Sequence, residues 1–187
     1  CNKTLENLII TEPGVLSAQI EISNPIVCFN GNNGVLTAQV TGGTAPFQYI
    51  WSNGFNTSTI NNLSAGNYSV LVIDKFGCFT TASIQLTQPP HAFEIFANVK
   101  NNAICLGTPN GAINVVTQNG VPPFTFSWTG PVSIGNEQNP TNLPSGNYQV
   151  VVTDANGCSA TLTTTINEIP GFTLSLVKHV ITCIQSN

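Results

Sequence analysis

Hydrophobic and polar residues alternate along most of this chain with a period of two, whereas a sustained helical period of 3.6 is not found. Clusters of Gly, Pro and Asn interrupt the alternation at intervals of roughly ten residues, as turns between strands do. The pattern predicts about seven short strands in each stretch of fewer than 80 residues, and therefore an all-β fold of antiparallel sandwiches. The clearest alternating runs are Leu16, Ala18, Ile20 and Ile22; Phe47, Tyr49 and Trp51; Tyr68, Val70 and Val72; Phe124, Phe126 and Trp128; and Tyr148, Val150 and Val152.

The same pattern occurs twice within the 187 residues. NLSAGNYSVLVIDKFGC at 62–78 matches NLPSGNYQVVVTDANGC at 142–158, and cysteines recur at intervals of 77 to 80 residues. We therefore predict two complete repeats, 14–90 and 91–170. Residues 1–13 match the C-terminal tail of a preceding repeat and residues 171–187 match the start of a following one. The sequence is thus expected to be a window on a longer tandem array.

One motif in each repeat indicates an immunoglobulin-like sandwich. In L-x-x-G-x-Y-x-V-x-V-x-D, Tyr68 and Tyr148 stand at the start of the predicted penultimate strand. A tyrosine there can donate a hydrogen bond back to the preceding corner, which is the tyrosine corner of such domains. Asp74 and Asp154 then enter the last hairpin, where a carboxylate can accept hydrogen bonds from backbone N–H groups. These four residues are predicted to be structural.

Each repeat also has one tryptophan on its third predicted strand, Trp51 and Trp128. A surface tryptophan in an extracellular domain would suit stacking against a sugar. The alternation instead places both on the inward face with neighbouring aromatic residues, and this favours a core role over sugar binding.

Composition excludes several classes of function. Only 6% of residues are charged, the net charge is −4 and the four basic residues are scattered, so no nucleic-acid or anionic-lipid surface is indicated. No apolar run reaches the roughly 20 residues of a membrane span. His91 and His179 lie in related linker positions without partners, and no catalytic or zinc-binding motif is present. Glu12 and Glu168 offer too few oxygens for a favoured calcium site, so we predict no cofactor, no metal and no enzyme activity.

Six cysteines indicate disulfides and an oxidising compartment. Three pairing schemes fit their spacing. Counting strands places Cys28 and Cys78 at opposite ends of a sandwich, which argues for the staggered scheme. Small secreted domains usually close their own disulfides, and the within-repeat scheme is therefore preferred. The schemes are within-repeat (Cys28–Cys78 and Cys105–Cys158, with Cys1 and Cys183 bonded elsewhere), consecutive (Cys1–Cys28, Cys78–Cys105 and Cys158–Cys183) and staggered (Cys28–Cys158).

The chain resembles the SprB-type repeat of very large surface adhesins in gliding Bacteroidetes. The resemblance rests on C-x-G-x-x-x-G, on GG-x-x-P-F-x-Y-x-W-S-x-G and on L-x-x-G-x-Y-x-V-x-V-x-D-x-x-G-C, followed by a strand that ends in Q-P. Residues 14–90 match throughout, whereas the second repeat has a single glycine at Gly120 and an enlarged segment 131–141. The resemblance implies an outer-membrane-associated cell-surface protein of a Gram-negative bacterium, exported by the type IX secretion system and associated with the gliding machinery. It brings no catalytic residues.

Three functions remain open at this point. The leading hypothesis is a stalk, in which repeats contact neighbouring repeats of the same polypeptide and project a distal adhesive region. The alternative is a binding module for a glycan or surface polysaccharide, weak in each repeat and strengthened by multivalency. A third possibility is a filament subunit that self-associates through edge strands. Exposed aromatic residues would favour binding, and the candidates are Phe29, Phe55, Phe76 and Phe79.

Overall fold

The computed structural model describes residues 14–101 and 109–168, and every regular element in these ranges is a β-strand. The prediction of an all-β fold is therefore confirmed. The strands are β1 (Ser17–Asn24), β2 (Gly34–Thr41), β3 (Gln48–Trp51), β4 (Thr59–Leu63), β5 (Gly66–Ile73), β6 (Phe79–Leu86), β7 (Glu94–Asn101), β8 (Ala112–Gln118), β9 (Thr125–Thr129), β10 (Gly146–Thr153) and β11 (Ser159–Ile166).

Strands β1 to β6 form two three-stranded antiparallel sheets, in the orders β1-β2-β4 and β3-β5-β6. The core between them takes alternate residues from each strand, because successive side chains of a strand point to opposite faces. On β2, for example, Leu36 and Ala38 are buried, and on β5 Val70 and Val72 are buried. The period-two pattern of the sequence thus corresponds to an inward-facing set of apolar side chains.

Strands β7 to β11 form a two-stranded sheet, β7-β8, and a three-stranded sheet, β9-β10-β11. Their buried residues again alternate, with Ile113 and Val115 on β8 and Val150 and Val152 on β10. Strand β10 therefore buries the same motif positions as β5. The described ranges contain six strands in the first set and five in the second, so the prediction of about seven per repeat was too high.

In the second repeat the counterpart of β4 is reduced to a single bridge between Gly111 and Leu143, and the enlarged segment 131–141 shows why. Where β4 pairs with β2, two polar side chains pair with β8 instead: the Val115 N–H donates to Asn139 Oδ1 at 3.1 Å, and Gln138 Nε2 donates to the Val115 carbonyl at 2.8 Å. The following Pro140 accepts from the Ile113 N–H at 3.1 Å but has no N–H to donate. Side chains thus satisfy an edge that would otherwise carry unpaired backbone groups.

The chain divides into two compact units. The first includes the described residues up to Phe93 together with Asn156–Cys158, and the second comprises Glu94–Ala155 and the residues from Ser159 onwards. The repeat boundaries at 14–90 and 91–170 stay a prediction from the sequence. The predicted partial repeats at 1–13 and 171–187 lie outside the described residues, as do Cys1, Cys105 and Cys183. No helix among the described residues is long and apolar enough to cross a membrane.

Candidate functional site

The turn between β5 and β6 is built around the carboxylate of Asp74. Its Oδ1 accepts hydrogen bonds from the backbone N–H groups of Phe76 and Cys78, both at 2.9 Å, and its Oδ2 accepts from the Thr44 N–H at 3.1 Å. The backbone closes the same turn, since the Asp74 N–H donates to the Cys78 carbonyl at 2.9 Å. Gly77 adopts a φ of 85°, which glycine accepts without steric cost. The turn therefore holds the Cys78 backbone firmly.

Two opposing effects act on the Asp74 carboxyl. Desolvation by burial raises its pKa, while the backbone N–H groups of Cys78, Thr44, Phe76 and Gly77 stabilise the charged form. The hydrogen bonds prevail, and the pKa of Asp74 lies below its ordinary value. The carboxylate is thus ionised at neutral pH and acts as a fixed acceptor for the turn.

Asp154 occupies the equivalent turn between β10 and β11. Its Oδ2 accepts from the Val121 N–H at 3.0 Å, as Asp74 accepts from Thr44, and Gly157 has a φ of 81°. The two aspartates predicted at the hairpin entries therefore lie in two copies of one turn. Each copy carries a cysteine four residues after the aspartate.

The two cysteines differ in their bonding. Cys158 forms a disulfide with Cys28, with a Cα–Cα distance of 5.6 Å and a sequence separation of 130, whereas Cys78 is a free, exposed thiol. Both bonded residues belong to the first compact unit, because that unit includes Asn156–Cys158. The preferred within-repeat pairing, Cys28–Cys78 with Cys105–Cys158, is therefore wrong. The consecutive pairs Cys1–Cys28 and Cys158–Cys183 are wrong as well, and the observed bond is that of the staggered scheme.

Cys28 and Cys78 lie at different places in the order of the strands. Cys28 follows β1, while Cys78 lies in the turn that joins β5 to β6. The segment after Cys28 turns sharply, with the Gly31 N–H donating to the Cys28 carbonyl at 3.0 Å. The Cys158 sulfur lies 3.5 Å from the carbonyl oxygen of Val27, so the second cysteine sits directly against this segment.

The two tyrosines make the hydrogen bond of a tyrosine corner. Tyr68 Oη donates to the Ser64 carbonyl and Tyr148 Oη donates to the Pro144 carbonyl, each at 2.8 Å. Tyr148 is fully buried, and this burial raises the pKa of its hydroxyl. A β-carbon on Gly130 would lie 2.5 Å from Cδ1 of Tyr148, so only glycine leaves room for the ring.

The tryptophans serve packing and loop closure. Trp51 is 2% exposed, lies in the core and donates from Nε1 to the Thr57 carbonyl at 2.8 Å. Trp128 is half-buried and donates from Nε1 to the Glu137 carbonyl at 2.8 Å. Neither ring lies open on the surface, and the enlarged segment of the second repeat is anchored through Trp128.

Exposed aromatic residues are instead found beside the free thiol. Phe76 is 70% exposed and Phe79 is 72% exposed, and with Val15, at 91%, they surround a shallow apolar depression of about 470 Å³ that includes Cys78. Phe29 and Phe55 are also exposed. We call Val15, Phe76, Cys78 and Phe79 the thiol patch. The sequence analysis named the two phenylalanines and the cysteine. It gave no signal for Val15, which precedes β1 and lies outside the alternating run that begins at Leu16.

No group of three or more His, Cys, Asp or Glu side chains that could hold a metal ion occurs in the described part of the chain. His91 is exposed, and His179 and Glu12 lie outside the described residues. Asp74 and Asp154 are each engaged in their own turn. The described residues therefore bring together two features: the disulfide between Cys28 and Cys158, and the exposed apolar thiol patch around Cys78.

Solved structures that resemble the chain are assemblies of successive domains. Three N-terminal domains of the Highly Immunogenic Outer Capsid protein (Hoc) of bacteriophage RB49 share 18% identity, with 82% of this chain and 59% of that chain covered and a TM-score of 0.48. The insect immune protein hemolin shares 14% identity over 88% of this chain and 49% of its own, with a TM-score of 0.33. The tandem Ig repeats of Dlar share 16% identity, with 86% of this chain and 100% of that chain covered and a TM-score of 0.26.

This chain spans less than two thirds of the Hoc and hemolin chains. Among curated proteins no relative was found. The predicted fold class of tandem antiparallel β-sandwiches is confirmed by the sheets themselves, and each repeat has the predicted tyrosine corner. The family model of the SprB repeat matches at two places, residues 20–56 and 97–133, which fall at equivalent positions of the two predicted repeats. The predicted resemblance to the SprB repeat is thereby confirmed at these two places.

Proposed function

We propose that the chain is a spacer that transmits mechanical force in the stalk of a large cell-surface adhesin, without enzymatic activity. The observation that carries the proposal is the Cys28–Cys158 disulfide, which joins positions 130 residues apart in a chain of tandem repeats. Tension applied to the chain on either side of this bond passes through two sulfur atoms and bypasses most of both repeats. A covalent bypass of this kind suits a protein that must transmit force without unfolding.

The surface chemistry is consistent with an extracellular position. Only 6% of residues are charged, so few ion pairs are available to be weakened by changing salt, and the disulfide requires an oxidising compartment. By resemblance to SprB-type adhesins, the protein would reach the surface through the type IX secretion system. It would there act with the gliding machinery at the outer membrane. The partners of each repeat would be neighbouring repeats of the same polypeptide.

A second candidate function is direct binding of a surface polysaccharide. The observation in its favour is the exposure of Phe76 and Phe79, because aromatic faces stack against sugar rings. The second repeat has Asn156 and Ser159 at these positions. A glycan site built on the two phenylalanines would therefore not recur from repeat to repeat, and multivalent binding needs such recurrence.

A domain exchange in the source organism separates these functions. The two predicted repeats of this chain are replaced by two unrelated immunoglobulin-like domains of equal length, and surface attachment and gliding are measured beside a strain that lacks the segment. A spacer predicts that the exchange preserves attachment and that the deletion reduces it. Loss of attachment in the exchange strain, with normal surface display, would refute the spacer function and favour binding by the repeats themselves.

A further inference from the structure

The two copies of the aspartate turn present the same cysteine in different states. Cys158 is half-buried and bonded to Cys28, whereas Cys78 is exposed and free. Both turns have an aspartate four residues before the cysteine, whose Oδ2 accepts from the N–H of Thr44 or Val121, and a glycine with positive φ one residue before the cysteine. The second repeat thus has a turn whose cysteine, Cys158, forms a disulfide. The first repeat has the same turn, and its cysteine, Cys78, is free.

The surroundings of Cys78 indicate that this sulfur meets another surface. Phe76 and Phe79 are each exposed by 70% or more, and Val15 is exposed by 91%. Large apolar side chains grouped in this way mark contact sites more often than solvated surface. Only one cation, Lys75, lies in the turn, and its Nζ stands 5.9 Å from the centre of the Phe76 ring. The thiol patch is thus apolar around a reactive group.

The partner of Cys158 shows what kind of segment such a turn accepts. Cys28 lies in ISNPIVCFNGNNG at 22–34, which contains no charged residue. Ile26 is buried beneath it, Val27 is half-buried, and Phe29 is exposed beside the bonded sulfur. A neutral segment with apolar side chains on both sides of its cysteine is a suitable complement to the thiol patch.

We propose that Cys78 forms a disulfide with the cysteine at the Cys28 position of the preceding repeat in the same polypeptide, as Cys158 does with Cys28, and that Val15, Phe76 and Phe79 pack against that repeat; a bond to Cys105 would overturn the proposal. The inference rests on the equivalence of the two turns and not on the stalk function. Cys78 would make the same kind of bond that Cys158 makes with Cys28, but one repeat earlier in the array. Every repeat of the array would then be covalently tied to another through its aspartate turn.

The bond forms by thiol–disulfide exchange. The Cys78 thiolate attacks the partner cysteine while that cysteine is held in a mixed disulfide with a low-molecular-weight thiol such as glutathione. One S–S bond forms, one S–S bond breaks, and glutathione leaves as a thiolate that takes up a proton from water. The mixed disulfide is thus the oxidant of the Cys78 thiol, and no other oxidant is needed.

The first test is disulfide mapping of the native protein from its source cells. The protein is alkylated before lysis, digested without reduction and analysed by mass spectrometry. We expect the peptide that contains Cys78 to be bonded to a peptide with a cysteine in an N-P-x-x-C or equivalent segment at the start of the preceding repeat. The intact protein is expected to keep the mass of one polypeptide in non-reducing electrophoresis. Alkylated Cys78, a bond to a cysteine of another aspartate turn, or a bond to a second polypeptide would each overturn the proposal.

The second test measures whether the thiol patch selects its partner. Cys1, Cys105 and Cys183 are replaced by serine in the full chain, so that Cys78 is its only thiol. The probes are two synthetic peptides, residues 20–33 and residues 155–163, whose cysteines carry glutathione. We expect Cys78 to react about fivefold faster with the first peptide, because contact between aromatic side chains contributes about 1 kcal/mol.

The matched control for the patch is the double variant Phe76→Ser, Phe79→Ser, which leaves Asp74, Gly77 and Cys78 unchanged. It should react with the two peptides at equal rates, and its circular dichroism spectrum should match that of the parent. Equal rates with both peptides in the parent chain, or an unchanged preference in the double variant, would overturn the role of the patch. Failure of the domain exchange in the source organism would leave this result unaffected, so the two proposals can fail separately.

Discussion

Reduction of the Cys28–Cys158 disulfide should release a large and measurable length of chain under force. The bond closes a sequence separation of 130 residues. A fully extended chain spans about 3.3–3.6 Å per residue, so the closed segment corresponds to about 430–470 Å of hidden contour length. In the oxidised protein this length cannot extend, whatever happens to the hydrogen bonds of β2 to β10. In the reduced protein it becomes available as the two repeats unfold.

Single-molecule force spectroscopy measures this length directly. The full chain is held by its two ends and stretched, first without reductant and then after reductant is added. We expect the total extension of the reduced chain to exceed that of the oxidised chain by about 450 Å. The variant Cys158→Ser should show the longer extension without any reductant. Cys78→Ser is the matched control, because it removes a cysteine from the equivalent turn and leaves the bond intact.

The outcome depends on connectivity alone and not on the strength of any contact. If oxidised protein already extends to the full length of its chain, or if reductant does not change the extension, the disulfide does not bypass the repeats. The proposal that the chain transmits force would then lose its basis, which is the Cys28–Cys158 disulfide. If Cys78→Ser behaves like Cys158→Ser, the pairing itself is different from Cys28–Cys158.

Further predictions concern the residues that hold each repeat together, and urea denaturation monitored by tryptophan fluorescence tests them all. Tyr148→Phe should lower the free energy of unfolding by about 1 kcal/mol, since it removes the hydrogen bond to the half-buried Pro144 carbonyl, and Tyr68→Phe should cost less because Tyr68 is only half-buried. Gly130→Ala should destabilise by about 1–3 kcal/mol, because the new methyl group meets the Tyr148 ring; no loss would show that the ring moves aside. The pKa of Asp74 is lowered on folding, so its contribution is present above the ordinary carboxyl pKa and is lost as pH falls through the folded value; Asp74→Asn should therefore flatten this loss in acid.

The architecture was predictable because alternation is a local signal. Trp51, Val70 and Val152 are buried at the positions that the period of two assigns to the inward face, and each is read from its own neighbours in sequence. The reduction of the β4 counterpart to one bridge in the second repeat was not predictable in this way. The sequence shows only that 131–141 is enlarged, while the replacement of a strand by Asn139 and Gln138 depends on where these side chains meet β8.

The disulfide shows a different limit of local reasoning. Strand counting argued against a Cys28–Cys78 bond, and the structure pairs Cys28 with Cys158 instead. The tendency of small secreted domains to close their own disulfides nevertheless outweighed this argument in the preferred scheme. A pairing between residues 130 positions apart depends on how the folded chain brings two turns together, and neither turn encodes this in its own residues. The observed bond follows the geometric argument, which used the fold, rather than the general tendency, which did not.

Comparison of the two aspartate turns, 74–78 and 154–158, also shows which of their residues are shared and which ones vary. Asp, Gly and Cys recur in both turns because they fix the backbone: the carboxylate accepts N–H groups, the glycine takes positive φ, and the cysteine supplies the sulfur. The residues between and after them, Phe76 and Phe79 in one turn and Asn156 and Ser159 in the other, do not contribute to this framework. They determine the surface that surrounds the sulfur. The two repeats of this chain therefore keep the same aspartate, glycine and cysteine while the surface around the sulfur differs between them.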